Sequence, residues 1–270
     1  MPQPSTATRP PRSPITAWFP SGSPADAAAG PSWCLACAII TEYILQNGEA
    51  MPGQSLAPLI DPGVVVIARL SGTDGLDDAA DAAIRGGALA LEVTLNTPGA
   101  LPWLERAAAR YGEDILLGAG TVRTAGQVRD AVSAGARLIV SPGTVPTVVA
   151  ATKDAGAAAM PGCYTATEIE AAVAAGADLV KLFPAGISGP QYVADLTAAL
   201  DDVQLVVTGR VTAEDAGAYV SAGATAVGIG TWALSDKLIN EGRWDVIEGR
   251  VRQTCQQIAG ARPVPPPVVS

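Results

Sequence analysis

The chain has 270 residues, a formal net charge of −9, no histidine, 49% hydrophobic residues and only 4% aromatic ones. Its core must therefore be built from Ala, Val, Leu and Ile, the composition of parallel strands covered on both faces. The acidic balance without any Lys/Arg cluster argues against a nucleic-acid partner. The lack of histidine removes the commonest general base and metal ligand, so no metal is expected; no other cofactor is expected either.

Residues 1–55 are rich in Pro, Ser, Ala and Gly without sustained periodicity and read as a disordered extension. The alternative is that the protein starts at Met51. The apolar stretch from Trp33 to Leu45 is too short and interrupted to span a membrane. It also makes a poor signal peptide, because a long, mostly uncharged segment precedes it and no clear cleavage site follows. No membrane partner is expected. Cys34-Leu-Ala-Cys37 has no second pair or histidine to complete a metal site. Nothing suggests a disulfide framework, which makes a reducing cytoplasm the expected location.

From residue 56 to 261 a short apolar run alternates with an Ala-rich amphipathic segment, the pattern of chained βα units. Strands are predicted at Val64–Arg69, Leu89–Leu95, Ile115–Thr121, Leu138–Ser141, Ala157–Pro161, Leu179–Pro184, Leu205–Thr208 and Ala226–Gly230. A helix is predicted after each. Several close on an Ala-Gly-Ala step (Gly135, Gly176 and Gly223), where glycine supplies a left-handed C-cap. Eight strands and eight helices in about 200 residues predict a single α/β domain, a (β/α)8 TIM barrel. Residues 262–270 form a Pro-rich tail.

In such barrels chemistry sits at the C-terminal ends of the strands. The unusual residues of this chain fall there: Arg69, Glu92, Asn96, Thr121, Ser141-Pro142-Gly143, Pro161-Gly162, Lys181, Thr208-Gly209-Arg210 and Gly230-Thr231. Lys181 is the most telling. It is one of three lysines; Lys153 and Lys237 read as helix-surface residues, whereas Lys181 lies inside an apolar strand. Burying an ammonium is costly, and desolvation favours an amine over an ammonium, the form needed to attack a carbonyl carbon. A second charge, Glu92, is buried in the same fashion. With a period of two, Leu179, Lys181 and Phe183 share one face, and Glu92, Thr94 and Asn96 share another. Inward-pointing faces would bring Glu92 and Lys181 together in the barrel mouth. The plainer reading of the two is a structural ion pair.

Several segments occur in an ordered set: Leu91-Glu-Val-Thr-Leu-Asn-Thr-Pro98, Gly118-Ala-Gly-Thr-Val122, Ser141-Pro-Gly143, Pro161-Gly162, Lys181-Leu-Phe-Pro184 and Gly189-Pro190. Over roughly residues 60–255 this order and spacing resembles the family of 2-keto-3-deoxy-6-phosphogluconate (KDPG) and 4-hydroxy-2-oxoglutarate aldolases. The resemblance implies a class I, Schiff-base aldolase on a (β/α)8 barrel, usually a homotrimer. It implies a keto-acid phosphate substrate, split into pyruvate and glyceraldehyde 3-phosphate. Alternatives with the same mechanism are the 6-phosphogalactonate epimer and 4-hydroxy-2-oxoglutarate. Carried over by position, Lys181 is the Schiff-base lysine, Glu92 the general acid/base, and Thr121 a residue that orients Glu92 and meets the substrate carboxylate end. Pro142 and Phe183 line the pocket, while Thr208, Gly209, Arg210, Gly230 and Thr231 stand on the phosphate side. Two departures matter. Asn96 stands where many gluconate-type members carry an arginine, a charge that Arg69 could supply. Gly209-Arg210 replaces the usual Gly-Gly, and a side chain there either clamps a phosphate or obstructs it.

Overall fold

The computed structural model describes residues 55–262. The extension reading of residues 1–54, the Met51 alternative, Cys34-x-x-Cys37 and the Pro-rich residues 263–270 all lie outside the described residues. Among those described, no helix is long and apolar enough to cross a membrane.

The segments fold as a parallel sheet with helices around it. A short helix α1 (Ala57–Ile60) precedes β1 (Val64–Ala68), α2 (Leu76–Arg85), β2 (Ala90–Thr94), α3 (Ala100–Tyr111), β3 (Leu116–Gly120) and α4 (Ala125–Ser133). Then come β4 (Leu138–Val140), α5 (Pro146–Asp154), β5 (Ala158–Met160), β6 (Gly162–Cys163), α6 (Ala166–Ala174) and β7 (Val180–Leu182). The chain continues with a 3-10 turn (Ala185–Ile187), α7 (Gly189–Ala199), β8 (Leu205–Thr208), α8 (Ala213–Ser221), β9 (Ala226–Ile229), α9 (Asp236–Asn240) and α10 (Trp244–Ala261). All pairings are parallel and the order is β5-β4-β3-β2-β1-β9-β8-β7-β6.

The two ends of that order are halves of one strand. Pro161 has no N–H to donate, so the ladder breaks there. β5 pairs β4 and β6 pairs β7. The carbonyls of Ala159, Pro161 and Cys163 accept from the amides of Leu179, Lys181 and Phe183 at 3.2, 2.9 and 2.9 Å. These bonds close the eight-stranded barrel that the sequence predicts, with its fifth strand split in two.

Alternation along the strands sorts two cores. Val65, Ala90, Leu116, Leu138, Val140, Ala158, Met160, Leu179, Val206 and Ala226 fill the lumen, together with Leu59 of α1. Leu59 is fully buried and closes the N-terminal end of the barrel. Their neighbours one position along, such as Val64, Val66, Leu91, Val93, Leu117 and Val207, face the helices. Arg262, at the start of the predicted tail, donates to the carbonyls of Ile60 and Asp61 at 2.5 and 2.6 Å, which ties the end of α10 to the residues beside β1. Gly135, Gly176 and Gly223 take φ of 95°, 93° and 102° just past their helices, as the Ala-Gly-Ala steps predict.

Candidate active site

The lumen of the barrel is apolar toward its N-terminal end and turns polar toward the strand C-termini. On β2 the inward positions run Ala90, Glu92, Thr94, and on β7 they run Leu179, Lys181, Phe183. Three strands separate β2 from β7 whichever way one passes round the barrel, so the two side chains meet across the lumen rather than along a ladder. Lys181 Nζ stands 3.7 Å from Glu92 Oε1, and the two residues are 5% and 1% exposed.

That distance is an ion pair without a hydrogen bond. Among the described residues neither carboxylate oxygen of Glu92 has a hydrogen-bond partner. A buried pair retained for structure alone needs close geometry and satisfied oxygens to offset desolvation. This pair has neither, which leaves acceptor capacity free beside an amine. Phe183 places its ring centroid 5.7 Å from Nζ, so one flank of the amine is covered by an aromatic face.

Glu92 owes its seat to a glycine. A Cβ built on Gly120 would lie 1.9 Å from Glu92 Oε1 and 2.7 Å from its Cδ, so no larger residue fits on that part of β3. Gly118, the other glycine of the same segment, has its nearest contact at an ordinary 3.4 Å. On β5–β6 the equivalent is Gly162, which pairs with Lys181 and has the carbonyl of Pro142 2.4 Å from where a Cβ would sit. Pro142 itself is exposed at the rim.

Thr121 and Arg210 are the two described non-glycine residues with positive φ, at 60° and 59°. This conformation costs about 1–2 kcal/mol for an L-residue, and it occurs here on the rim of the barrel, immediately after β3 and two residues after β8. Thr121 Oγ1 accepts a hydrogen bond from Arg69 Nη2 at 3.4 Å, so the structure joins the two residues expected at the carboxylate end of the substrate. No hydrogen bond links Thr121 to Glu92 among the described residues. Arg210 is exposed and its guanidinium has no hydrogen-bond or ion-pair partner among the described residues. It follows Gly209, whose carbonyl accepts from Gly186 N at 2.9 Å and where a Cβ would lie 3.2 Å from the Phe183 ring.

Thr208 faces the lumen, 5% exposed, with Oγ1 unpartnered among the described residues. Room for it comes from Gly228, its ladder partner, where a Cβ would lie 2.6 Å from that oxygen. Gly230 turns the chain after β9, its carbonyl accepting from the amides of Ala233 and Leu234, and Thr231 is exposed. Asn96 is exposed in the turn after β2, beyond the inward positions of Glu92 and Thr94 on the strand itself.

The turn holds a different functional group that sequence reasoning passed over. Thr97 is 2% exposed, accepts from Leu70 N at 3.1 Å and meets Thr94 Oγ1 at 3.2 Å. Of the described cysteines, Cys163 lies in the outer core, bonded to Thr144 Oγ1 and the Glu168 carbonyl. Burial pushes its thiol pKa up, against the lowering effect of the Thr144 bond. It is a packing residue. Lys153 pairs with Asp178 on the surface, and Lys237 is exposed on α9.

Residues 59–250 match the protein family described as KDPG and KHG aldolase. The Escherichia coli 2-dehydro-3-deoxy-6-phosphogalactonate aldolase is 36% identical over 151 residues, covering 56% of this chain and 74% of that protein. The Treponema pallidum 2-dehydro-3-deoxy-phosphogluconate aldolase is 35% identical over 196 residues, covering 72% and 92%. Among solved structures, KDPG aldolase from Legionella pneumophila, with pyruvate captured as a covalent carbinolamine intermediate, superposes with a TM-score of 0.67 at 29% identity, covering 73% of this chain and 96% of that one. The chain belongs to the KDPG and KHG aldolase family and is a lyase.

Proposed function

We propose that the protein cleaves 2-dehydro-3-deoxy-6-phosphogluconate into pyruvate and glyceraldehyde 3-phosphate, with Lys181 as nucleophile and Glu92 as the group that moves protons. One observation carries this reading: a buried amine faces a buried carboxylate at 3.7 Å, and the carboxylate oxygens are otherwise unbonded.

The steps follow from the chemistry of that pair. The Lys181 amine adds to the C2 ketone, and the carbinolamine loses water to give an iminium. Glu92 protonates the departing hydroxyl and then takes the proton from the C4 hydroxyl. The C3–C4 bond breaks, its electron pair moves into the iminium to form an enamine, and the aldehyde leaves. Glu92 returns the proton to C3, and water hydrolyses the iminium to release pyruvate. Phe183 limits water at the amine. Arg69 with Thr121 meets the carboxylate end, while Thr208, Gly209, Arg210, Gly230 and Thr231 form the phosphate side. Pro142 and Asn96 line the rim.

The 6-phosphogalactonate epimer is a second reading. The galactonate relative, at 36% identity, stands as close as the gluconate one at 35%. The inward hydroxyl of Thr208 supports the gluconate substrate, because it gives the pocket a polar contact. The homotrimer belongs to the same reading and rests on the family resemblance, and the cytoplasmic location rests on the lack of any disulfide framework in the sequence.

Borohydride reduction in the presence of pyruvate tests the mechanism. The expected product is an irreversibly inactivated enzyme carrying one reduced pyruvyl adduct on the peptide that contains Lys181. An adduct on Lys153 or Lys237, or none, would remove the assignment. Comparing turnover of the two epimers then decides the substrate.

A further inference from the structure

Arg69 is an exposed arginine whose guanidinium makes a single long contact, to Thr121, yet the backbone on both sides of it is held unusually firmly. The amide of Leu70 donates to Thr97 Oγ1 at 3.1 Å. The amide and the hydroxyl of Ser71 both donate to Asp236 Oδ1, at 2.9 and 2.8 Å. On the other side, the carbonyl of Ala68 accepts from Thr94 Oγ1 at 3.3 Å, and Thr94 meets Thr97 at 3.2 Å. Three positions flanking Arg69, namely Ala68, Leu70 and Ser71, are thus tied to the end of β2, to the turn after it and to the first residue of α9. Thr94 and Thr97 are 0% and 2% exposed, so their hydroxyls are committed to this network rather than to solvent.

We propose that Thr97 and Asp236 are positioning residues for Arg69: they fix the loop after β1 so that the guanidinium reaches over the mouth to Thr121, where it holds the carboxylate of the keto acid. The inference rests on the reading of Arg69 given above. Its physical content is preorganisation. A long side chain on a mobile loop gives up conformational freedom when it binds an anion, and a loop held by four hydrogen bonds has already given up the backbone part. Asp236 suits the task because one carboxylate oxygen accepts both Ser71 donors. Asp236 stands just beyond the Gly230-Thr231 turn, so the residues that hold Arg69 come from the strands on either side of β1.

The test uses pyruvate alone and reads the concentration that half-saturates borohydride inactivation. Asp236→Ala should raise it roughly three- to tenfold, with the rate at saturating pyruvate changed by less than about twofold, as expected for the loss of ordinary hydrogen bonds that act on binding. Asp236→Asn keeps an oxygen acceptor for Ser71 and should stay within about twofold of the parent. The deciding arm is the Arg69→Ala background, where Asp236→Ala should add almost nothing, because a residue that acts through Arg69 has nothing left to act on. Thr97→Val should behave like Asp236→Ala, and Thr97→Ser should restore the parent value. An equal effect of Asp236→Ala with and without Arg69 would overturn the proposal. So would an unchanged half-saturation in Arg69→Ala, or loss of the native circular dichroism in both Asp236→Ala and Thr97→Val. Failure of pyruvate to label the parent enzyme would instead sink the aldolase mechanism itself.

Discussion

Glu92 and Lys181 come from strands on opposite sides of the barrel and face each other across its lumen, with 3.7 Å between Oε1 and Nζ. An arrangement that spans the lumen leaves space between the strands on either side for a substrate atom to sit against both groups. A pair made between adjacent strands would lie flat on the barrel wall.

Lys181→Met should abolish turnover and pyruvate labelling while the protein still folds. It should also cost about 3 kcal/mol of stability, because removing one member of a buried pair strands the other charge. Adding Glu92→Gln should recover most of that loss. Urea midpoints of the parent, the single variant and the double variant check this. A double variant no more stable than the single one would mean the two charges are not coupled.

Glu92→Gln alone keeps the shape and loses proton transfer. The cleavage rate should fall by roughly 10²–10⁴. Lys181 should still be labelled by pyruvate and borohydride, more slowly. Single-turnover kinetics separates the two effects, and an unchanged cleavage rate would mean that another group carries the proton.

Gly120→Ala should disable the enzyme more than Gly118→Ala, although both change the same strand by one methyl group. At position 120 the methyl would fall 1.9 Å from Glu92 Oε1, and at position 118 it would find contacts no closer than 3.4 Å. Displacing Glu92 should cost most of the activity. The overpacking should cost about 1–3 kcal/mol in stability. Equal activity of the two variants would show that Glu92 needs no fixed position.

Arg210→Gly should stabilise the protein and weaken its hold on phosphorylated substrates. Relief of the left-handed backbone, φ 59°, is worth about 1 kcal/mol. Loss of one charged hydrogen bond to phosphate costs about 1.5–3 kcal/mol of binding. Turnover of non-phosphorylated 4-hydroxy-2-oxoglutarate should not change. Thermal melts and KM values for the two substrates test both halves. A variant that turns over the phosphorylated sugar acid faster than the parent would mark Arg210 as an obstruction.

The sequence by itself determined the βα alternation, the strand positions to within a residue or two, the glycine caps at 135, 176 and 223, and which residues share a strand face with Glu92 and with Lys181. These follow from local rules: side chains alternate along a strand, glycine tolerates positive φ, and charges in apolar runs stand out against their neighbours. It did not reveal the break at Pro161 between two registers, because which neighbour each half of the fifth strand bonds depends on how the barrel closes. Nor did it show why Gly120 is required, since the atom it avoids belongs to another strand. The ties around Arg69 were equally hidden: Ser71 and Asp236 are 165 positions apart, and Leu70 and Thr97 are 27 apart. Ring closure, which sets β9 beside β1, brings Asp236 to Ser71, and the pairing of β1 with β2 brings Thr97 to Leu70; no local pattern in the chain encodes either proximity.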